Sequence, residues 1–535
     1  MTIISLLLWI YGLWNSNLTI DNYGLISSYN IVFFFSLAVL TIAAALLWID
    51  NTENSKLLLF IQFSLLVISL YLSPLFLEGL PRFRSTYQNY AYIDYILQNG
   101  VLNPNVVWYH NWPGFSIFFA SFFQITGIDA PFFTMAIFPP VIIIIVALLI
   151  LLLAKYLTNV RSPQWLWCAA WVFAIANWTS QEYFSPQAIA YILLLCLLIM
   201  IIRSFITGDK RLSNKILIII FMAALTITHA ATSFIALIMV AALYIIWPRR
   251  LPIMALLFLV AVGAWTIYGA ISIMEQRLAR YALEAFNMDA FIYATFNIRF
   301  IASSQEHTFI NYLRVLITFI FLLIAIAGFM AMPKNTRISR QNMSIAVIGM
   351  TPVLFIPLFI YGGEFIIRVY LFMLIPIAIF TMQLLNRRLL RVLLIGLLIF
   401  LIPLHMLTHY GNEVYEVVSY SEIQVTDFFY SATSDGVIYA LIPPELFEGL
   451  GIYTFRLTFV PSADSRSWDS LDNIRYRNDR NKNQFVAIPK NLFAIYKYFT
   501  NDDTKIKDLY KWIQESSSYH LIYTSPNMKL FAWRD

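Results

Sequence analysis

Residues 132–155 carry no charged side chain before Lys155, and 141–154 are aliphatic throughout. A helix built on such a run has no wet face, so it needs apolar surroundings on every side. Thirteen apolar segments of this kind are found, at about 2–14, 31–50, 56–77, 132–155, 163–181, 186–205, 215–230, 232–248, 251–274, 309–332, 342–361, 366–386 and 389–408. Crossing a bilayer takes roughly 20 apolar residues, with a lower limit of ~17, and only the first segment falls clearly short of it. With 60% hydrophobic and 12% charged residues, a chain of 535 residues has too little polar surface to dissolve in water. The expected fold class is therefore an α-helical polytopic membrane protein of about 13 transmembrane helices. Cys168 and Cys196 both lie in apolar runs, so neither a disulfide framework nor a metal site is expected from them. No P-loop, dinucleotide glycine pattern or zinc spacing is present, so ATP coupling on this chain is not expected.

Lysine and arginine give the orientation. With the N-terminus in the cytoplasm and the spans alternating, six short cytoplasmic loops hold 15 basic residues, and the opposite side of residues 1–410 holds seven. Those positive charges orient the spans, so no nucleic-acid partner is expected from the net charge of +6. The scheme puts two long loops outside, 78–131 and 275–308, together with everything after about 409. The tail 411–535 changes character, with 13 Lys/Arg against 16 Asp/Glu. In it "GVIYALI", "FVAIPK", "HLIYTSP" and "MKLFAWR" read as strands, and "SEIQVTDFFYSA" and "DLYKWIQESS" as amphipathic helices. The expected organisation is a membrane domain, 1–410, followed by a small extracytoplasmic α/β domain, 411–535. The expected location is the cell membrane, multi-pass.

Ionisable groups at span ends are costly and invite a functional reading. On the outer side they recur. The first long loop carries Arg82, Arg84, Asp94 and the stretch "WYHNW", with Tyr109, His110, Asn111 and Trp112. "NWTSQEYFSPQ" joins two spans around Glu182, and "THAATS" turns between two others at His229. In "YGGEFIIRVY", Glu364 and Arg368 stand four apart and share one helix face. Each has a plainer reading. The aromatic loop could be an interfacial belt, His229 a helix cap, Glu364–Arg368 a structural ion pair, and Glu182 an interfacial anchor. Their gathering on one side of the membrane favours a site.

The segments "ILQNG", "WPGFSIFFASFFQITGID", "QEYFSPQ", "THAATSF" and "GGEFIIRVYLFMLIP", with the many spans and late outer domain, resemble the polytopic GT-C glycosyltransferases. That class includes oligosaccharyltransferase catalytic subunits and protein O-mannosyltransferases. The narrower resemblance is to uncharacterised archaeal and bacterial members, over roughly residues 20–410. It implies a GT-C-like fold and an inverting transfer on the outer face. A sugar would leave a polyprenyl-phosphate carrier and join a glycan, lipid or protein acceptor. Such chemistry needs a carboxylate base, groups that hold the leaving phosphate, and aromatic surfaces for the sugar. Tyr109, His110, Asn111 and Trp112 would line the sugar site. Arg368, oriented by Glu364, would hold the phosphate, with Arg277, Arg280 and Arg299 next in line. Arg82, Arg84 and His229 are further substrate-binding candidates. No cofactor is demanded, and a divalent cation is compatible.

The chain departs from that class at one point. Where its relatives carry an Asp and a His four apart in the first loop, this sequence has Ser85 and Asn89. Asp94, and after it Glu182, are then the candidate catalytic carboxylates, with Glu78 the nearest acid upstream. The same departure keeps open a non-catalytic glycan-binding or assembly subunit of the same fold. A transporter of lipid-linked glycans is a third reading; repeats or broken spans would favour it, and neither is evident.

Overall fold

The computed structural model describes residues 1–49, 55–105, 108–128, 131–158, 162–248, 253–272, 303–358, 364–411, 413–432, 436–440, 455–459 and 484–533. Residues 273–302, with Arg277, Arg280 and Arg299, lie outside the described residues, as does the Glu364 side chain.

Every apolar segment read from the sequence contains a helix. Among the described residues six helices are long and apolar enough to cross a membrane: Ile31–Ile49, Pro131–Leu157, Pro186–Thr207, Gln305–Ala331, Ile367–Asn386 and Arg388–His409. Seven further apolar helices are 10–17 residues long. Several segments are shorter as α-helix than the apolar run suggested, and proline is a recurrent cause because it lacks the N–H of the helical ladder. The run 342–361 becomes helix Arg340–Met350 followed by a 3-10 stretch, Thr351–Leu358, that contains Pro352 and Pro357. The run 56–77 breaks into Ser55–Tyr71 and Ser73–Glu78, with Pro74 in the first turn of the second.

Helix Pro186–Thr207 shows how locally such an element is set. Ser185 caps it by accepting from the Ala188 N–H, Pro186 opens the first turn, and Gly208 ends it in the left-handed region at φ 70°. Packing between helices relies on small residues where backbones meet. At Gly328 a Cβ would stand 2.0 Å from the Phe380 carbonyl, so any side chain there would push helix Gln305–Ala331 off its neighbour.

The tail forms a five-stranded mixed sheet in the order β2-β1-β3-β5-β4, with β1 Gly436–Ala440, β2 Phe455–Phe459, β3 Gln484–Pro489, β4 Tyr519–Ser525 and β5 Met528–Trp533. β1 pairs parallel with β2 and β3, and β5 antiparallel with β3 and β4. Helices Leu492–Thr500 and Thr504–Glu515 cover one apolar face of β3 and β5, and helix Tyr420–Ala432 contributes Val425 and Phe429 to the other. Strand β2 and helix Leu492–Thr500 are additions to the elements read from sequence.

The tail is clamped to the loop 78–131. Buried Arg84 donates to the carbonyls of Tyr415 (2.7 Å) and Val417 (2.9 Å) and to the Glu422 carboxylate (2.8 Å). The Tyr420 hydroxyl donates to the Gly79 carbonyl, and within the tail the Tyr498 hydroxyl donates to the Gly411 carbonyl.

Candidate functional site

Helix Leu166–Ala176 ends on "ANWTSQEYFS", and like any helix it leaves its last carbonyls without partners of their own. Side chains from other helices meet four in succession. Tyr71 donates to Ala174 (2.7 Å), His405 Nδ1 to Ile175 (2.9 Å), Tyr370 to Ala176 (3.1 Å) and His409 Nδ1 to Asn177 (3.2 Å). Tyr71, His405 and His409 also pack ring to ring, the two imidazoles stacked at 5.1 Å and 22°. His409 is thereby fixed in position, with Nδ1 turned to the Asn177 carbonyl.

Its other nitrogen, Nε2, lies 3.1 Å from Glu182 Oε1. Glu182 is buried, and its second oxygen accepts from Asn177 Nδ2 at 3.4 Å. An imidazole nitrogen and a carboxyl oxygen thus face each other at hydrogen-bonding distance, which is the arrangement of an acid–base pair. Beside it lies Arg82, whose Nε is 2.5 Å from Glu413 and whose guanidinium stacks on the rings of Phe83 and Tyr410 at 4.2 and 4.3 Å. Burial works against the Arg82 charge, but Glu413, Tyr410 and Glu78 outweigh it and hold the guanidinium above its usual basicity. Glu78 is raised well above the usual carboxyl range by burial, and next by the negative charge of Glu413.

Arg82, Glu182, His409, Tyr71 and Tyr410 line one cavity, walled on the apolar side by residues such as Met135 and Pro139. Its free space of about 30 Å³ admits a water or a small polar group. Two of the three non-glycine residues with positive φ among the described residues border this place, Phe83 at 71° and Ser180 at 54°. Left-handed backbone at a non-glycine residue costs on the order of 1–3 kcal/mol, and it tends to collect at working sites.

The other candidates land elsewhere. Asp94, on helix Arg84–Asn99, accepts from Gln98 one turn along the same helix at 2.5 Å, and partial burial raises its proton affinity. It is not part of the Glu182–His409 cavity. The "WYHNW" stretch serves to fold its own loop. His110 accepts the Asn103 N–H at Nδ1 (2.9 Å) and donates from Nε2 to the Tyr92 carbonyl (2.9 Å), and burial lowers its proton affinity. Asn111 donates to Pro104, its carbonyl accepts from Trp265, Tyr109 packs on Tyr92, and Trp112 is buried. His229 accepts from the Thr232 N–H and so caps helix Ala230–Ile246, the plainer of its two readings. Arg368 lies within electrostatic reach of His229. Asn89, at the place of the absent first-loop His, donates to the Phe184 carbonyl. Arg84 is engaged by the tail, as described above.

His409, Tyr410 and Glu413 did not stand out in the sequence. The signal was present: "HYGNE" puts ionisable groups at the end of the last apolar run, the same rule that singled out Glu182. The boundary drawn at 410/411 ran through it. Among the described residues no three His, Cys, Asp or Glu side chains converge as a metal-binding set. The cation that lines the cavity is the Arg82 guanidinium.

No protein-family model matches the chain, and comparison with curated proteins gives no match. Solved structures do match. The oligosaccharyltransferase of Archaeoglobus fulgidus in its apo form superposes with a TM-score of 0.52 at 11% identity, over 85% of this chain and 72% of that one. The same organism's AglB in complex with an inhibitory peptide and a dolichol-phosphate gives 0.53 at 11% identity, over 88% and 73%. At such identity the likeness speaks for the fold alone: over most of its length the chain folds like these two structures.

Proposed function

We propose that the chain is a membrane glycosyltransferase that moves a sugar from a polyprenyl-phosphate carrier to an acceptor on the extracytoplasmic face, with the N-terminus in the cytoplasm and the tail outside. The observation that carries this reading is the buried Glu182–His409 pair, set beside Arg82 in a small cavity of a GT-C-like fold. Glu182 takes the proton of the acceptor hydroxyl or amide as that group attacks the anomeric carbon. The bond from that carbon to the phosphate oxygen breaks on the opposite side, and the sugar is transferred with inversion. His409 holds the carboxyl in place and shares the proton it receives. Arg368 binds the departing phosphate through its forked guanidinium. The cavity is far smaller than the ~300–1,000 Å³ of a ligand pocket, so it serves the proton and not the sugar ring.

The test is turnover of a polyprenyl-phosphate sugar by the purified chain and by Glu182→Gln. Transfer by wild type and a large loss in the variant are expected. Equal turnover in both would remove Glu182 from the chemistry. A second reading, a silent glycan-binding subunit, draws on Ser85 and Asn89. It predicts glycan binding with no turnover in wild type.

A further inference from the structure

Glu78 closes helix Ser73–Glu78, Arg82 follows in the same loop, and Glu413 opens the tail. The Arg82 guanidinium binds Glu413 through one oxygen, Oε2, while Glu413 Oε1 has no donor. Oxygen Oε1 of Glu78 is likewise buried and without a donor. Glu413 is the neighbouring carboxyl group that bears most strongly on Glu78. Carboxylates only accept, so two of them side by side out of water repel unless a proton lies between them. One proton held between the two groups leaves one negative charge against the one positive charge of Arg82.

We propose that Glu78 and Glu413 hold one proton in common at neutral pH and act as positioning residues for Arg82, seating its guanidinium at the Glu182–His409 cavity. The proton-sharing stands on the local geometry; the positioning half rests on the transferase reading above. The charged and titratable groups facing this carboxyl pair are Arg82, Glu416, Tyr29, Tyr87 and Tyr410. The chain thus closes its outer loop on the tail through a proton, and the closure tracks external alkalinity. As pH rises, the proton leaves and the buried group carries an uncompensated negative charge. The sign follows from the direction of the Glu78 shift: the stabilisation is complete below the ordinary carboxyl value and is lost as pH climbs from there through the raised folded-state value.

The experiment uses the full chain purified in detergent. Infrared spectroscopy at neutral pH reads the carbonyl band of a protonated carboxylic acid. Wild type should show it, Glu78→Gln should lose it, and Glu182→Gln should keep it. No such band in wild type, or a band lost in Glu182→Gln and kept in Glu78→Gln, overturns the shared proton. Gln has the shape of the protonated acid, so Glu78→Gln should fold. As a second measure, wild-type Tm should drop from neutral to alkaline pH and the Glu78→Gln Tm should not; parallel curves would count against the clamp. For the positioning half, Glu78→Gln should move the alkaline limb of the transfer pH profile upward. An unmoved limb refutes it. If the band behaves as expected but wild type turns over no polyprenyl-phosphate sugar, the transferase reading fails and the shared proton stands.

Discussion

Replacing Arg84 by Met should loosen the tail from the first outer loop by a calculable amount. Arg84 is 1% exposed and makes three charge-assisted hydrogen bonds at 2.7, 2.9 and 2.8 Å to Tyr415, Val417 and Glu422. Methionine fills much of the same space, so the loss is polar and not a cavity. Removing one partner of a buried ion pair costs about 3–5 kcal/mol. The low end applies here, because Glu422 keeps the Ser419 N–H at 2.7 Å and the Ser419 hydroxyl at 2.9 Å. A loss of about 3 kcal/mol is roughly a hundredfold in an opening equilibrium, at 1.4 kcal/mol per tenfold. Amide hydrogen exchange reads that equilibrium directly. Exchange across 413–432 should quicken about a hundredfold, while helix Pro186–Thr207 keeps its protection. The double variant Arg84→Met with Glu422→Gln should recover part of the loss, since no buried charge is then left alone. Exchange within threefold of wild type at 413–432 would refute the claim that Arg84 is the clamp.

Three other outcomes are expected. Glu182→Gln should lower sugar transfer by about 10²–10⁴-fold, the usual worth of a general base, while Asp94→Asn stays within severalfold of wild type; the reverse order in the same assay would move the base to the first loop. Arg368→Lys keeps the charge but loses the fork, and transfer should fall more than about tenfold if the phosphate is held in two places; unchanged transfer would release Arg368 from that role. A cysteine placed at 502 should react with a membrane-impermeant reagent on intact cells and one at 335 should not, and the opposite pattern would invert the topology.

Most of the apolar helices were legible because an apolar run announces itself residue by residue, and four of the five strands showed for the same local reason. The fifth, β2, pairs in parallel with β1, and its place depends on a partner and not on its own pattern. The site was half legible. Glu182 stood out as an acid at a span end. Its partner His409 comes from the far end of the chain, and only folding brings the two within 3.1 Å. The "WYHNW" stretch gave the opposite lesson. Its donors and rings suit a sugar in kind, yet His110 and Asn111 are engaged with Asn103, Tyr92 and Pro104 in their own loop. Residue type narrows chemistry, but which group is left over for a ligand is decided by the neighbours it meets first.

The pairing of the first loop with the tail also sets a schedule for biosynthesis. Arg82 meets Glu413, and Arg84 the Tyr415 carbonyl, each across 331 positions of sequence. At about 5–20 residues per second, a ribosome takes roughly 20–70 s to travel from one partner to the other. Through that interval two arginines destined for burial have none of their tail acceptors, while ten of the thirteen apolar segments are still being made or inserted. The loop must wait in water, unfolded at its base, until the last span has emerged. Truncation after residue 410 would leave it waiting permanently, and a nascent chain stalled there should be a ready substrate for proteases on the side of the membrane where the loop lies.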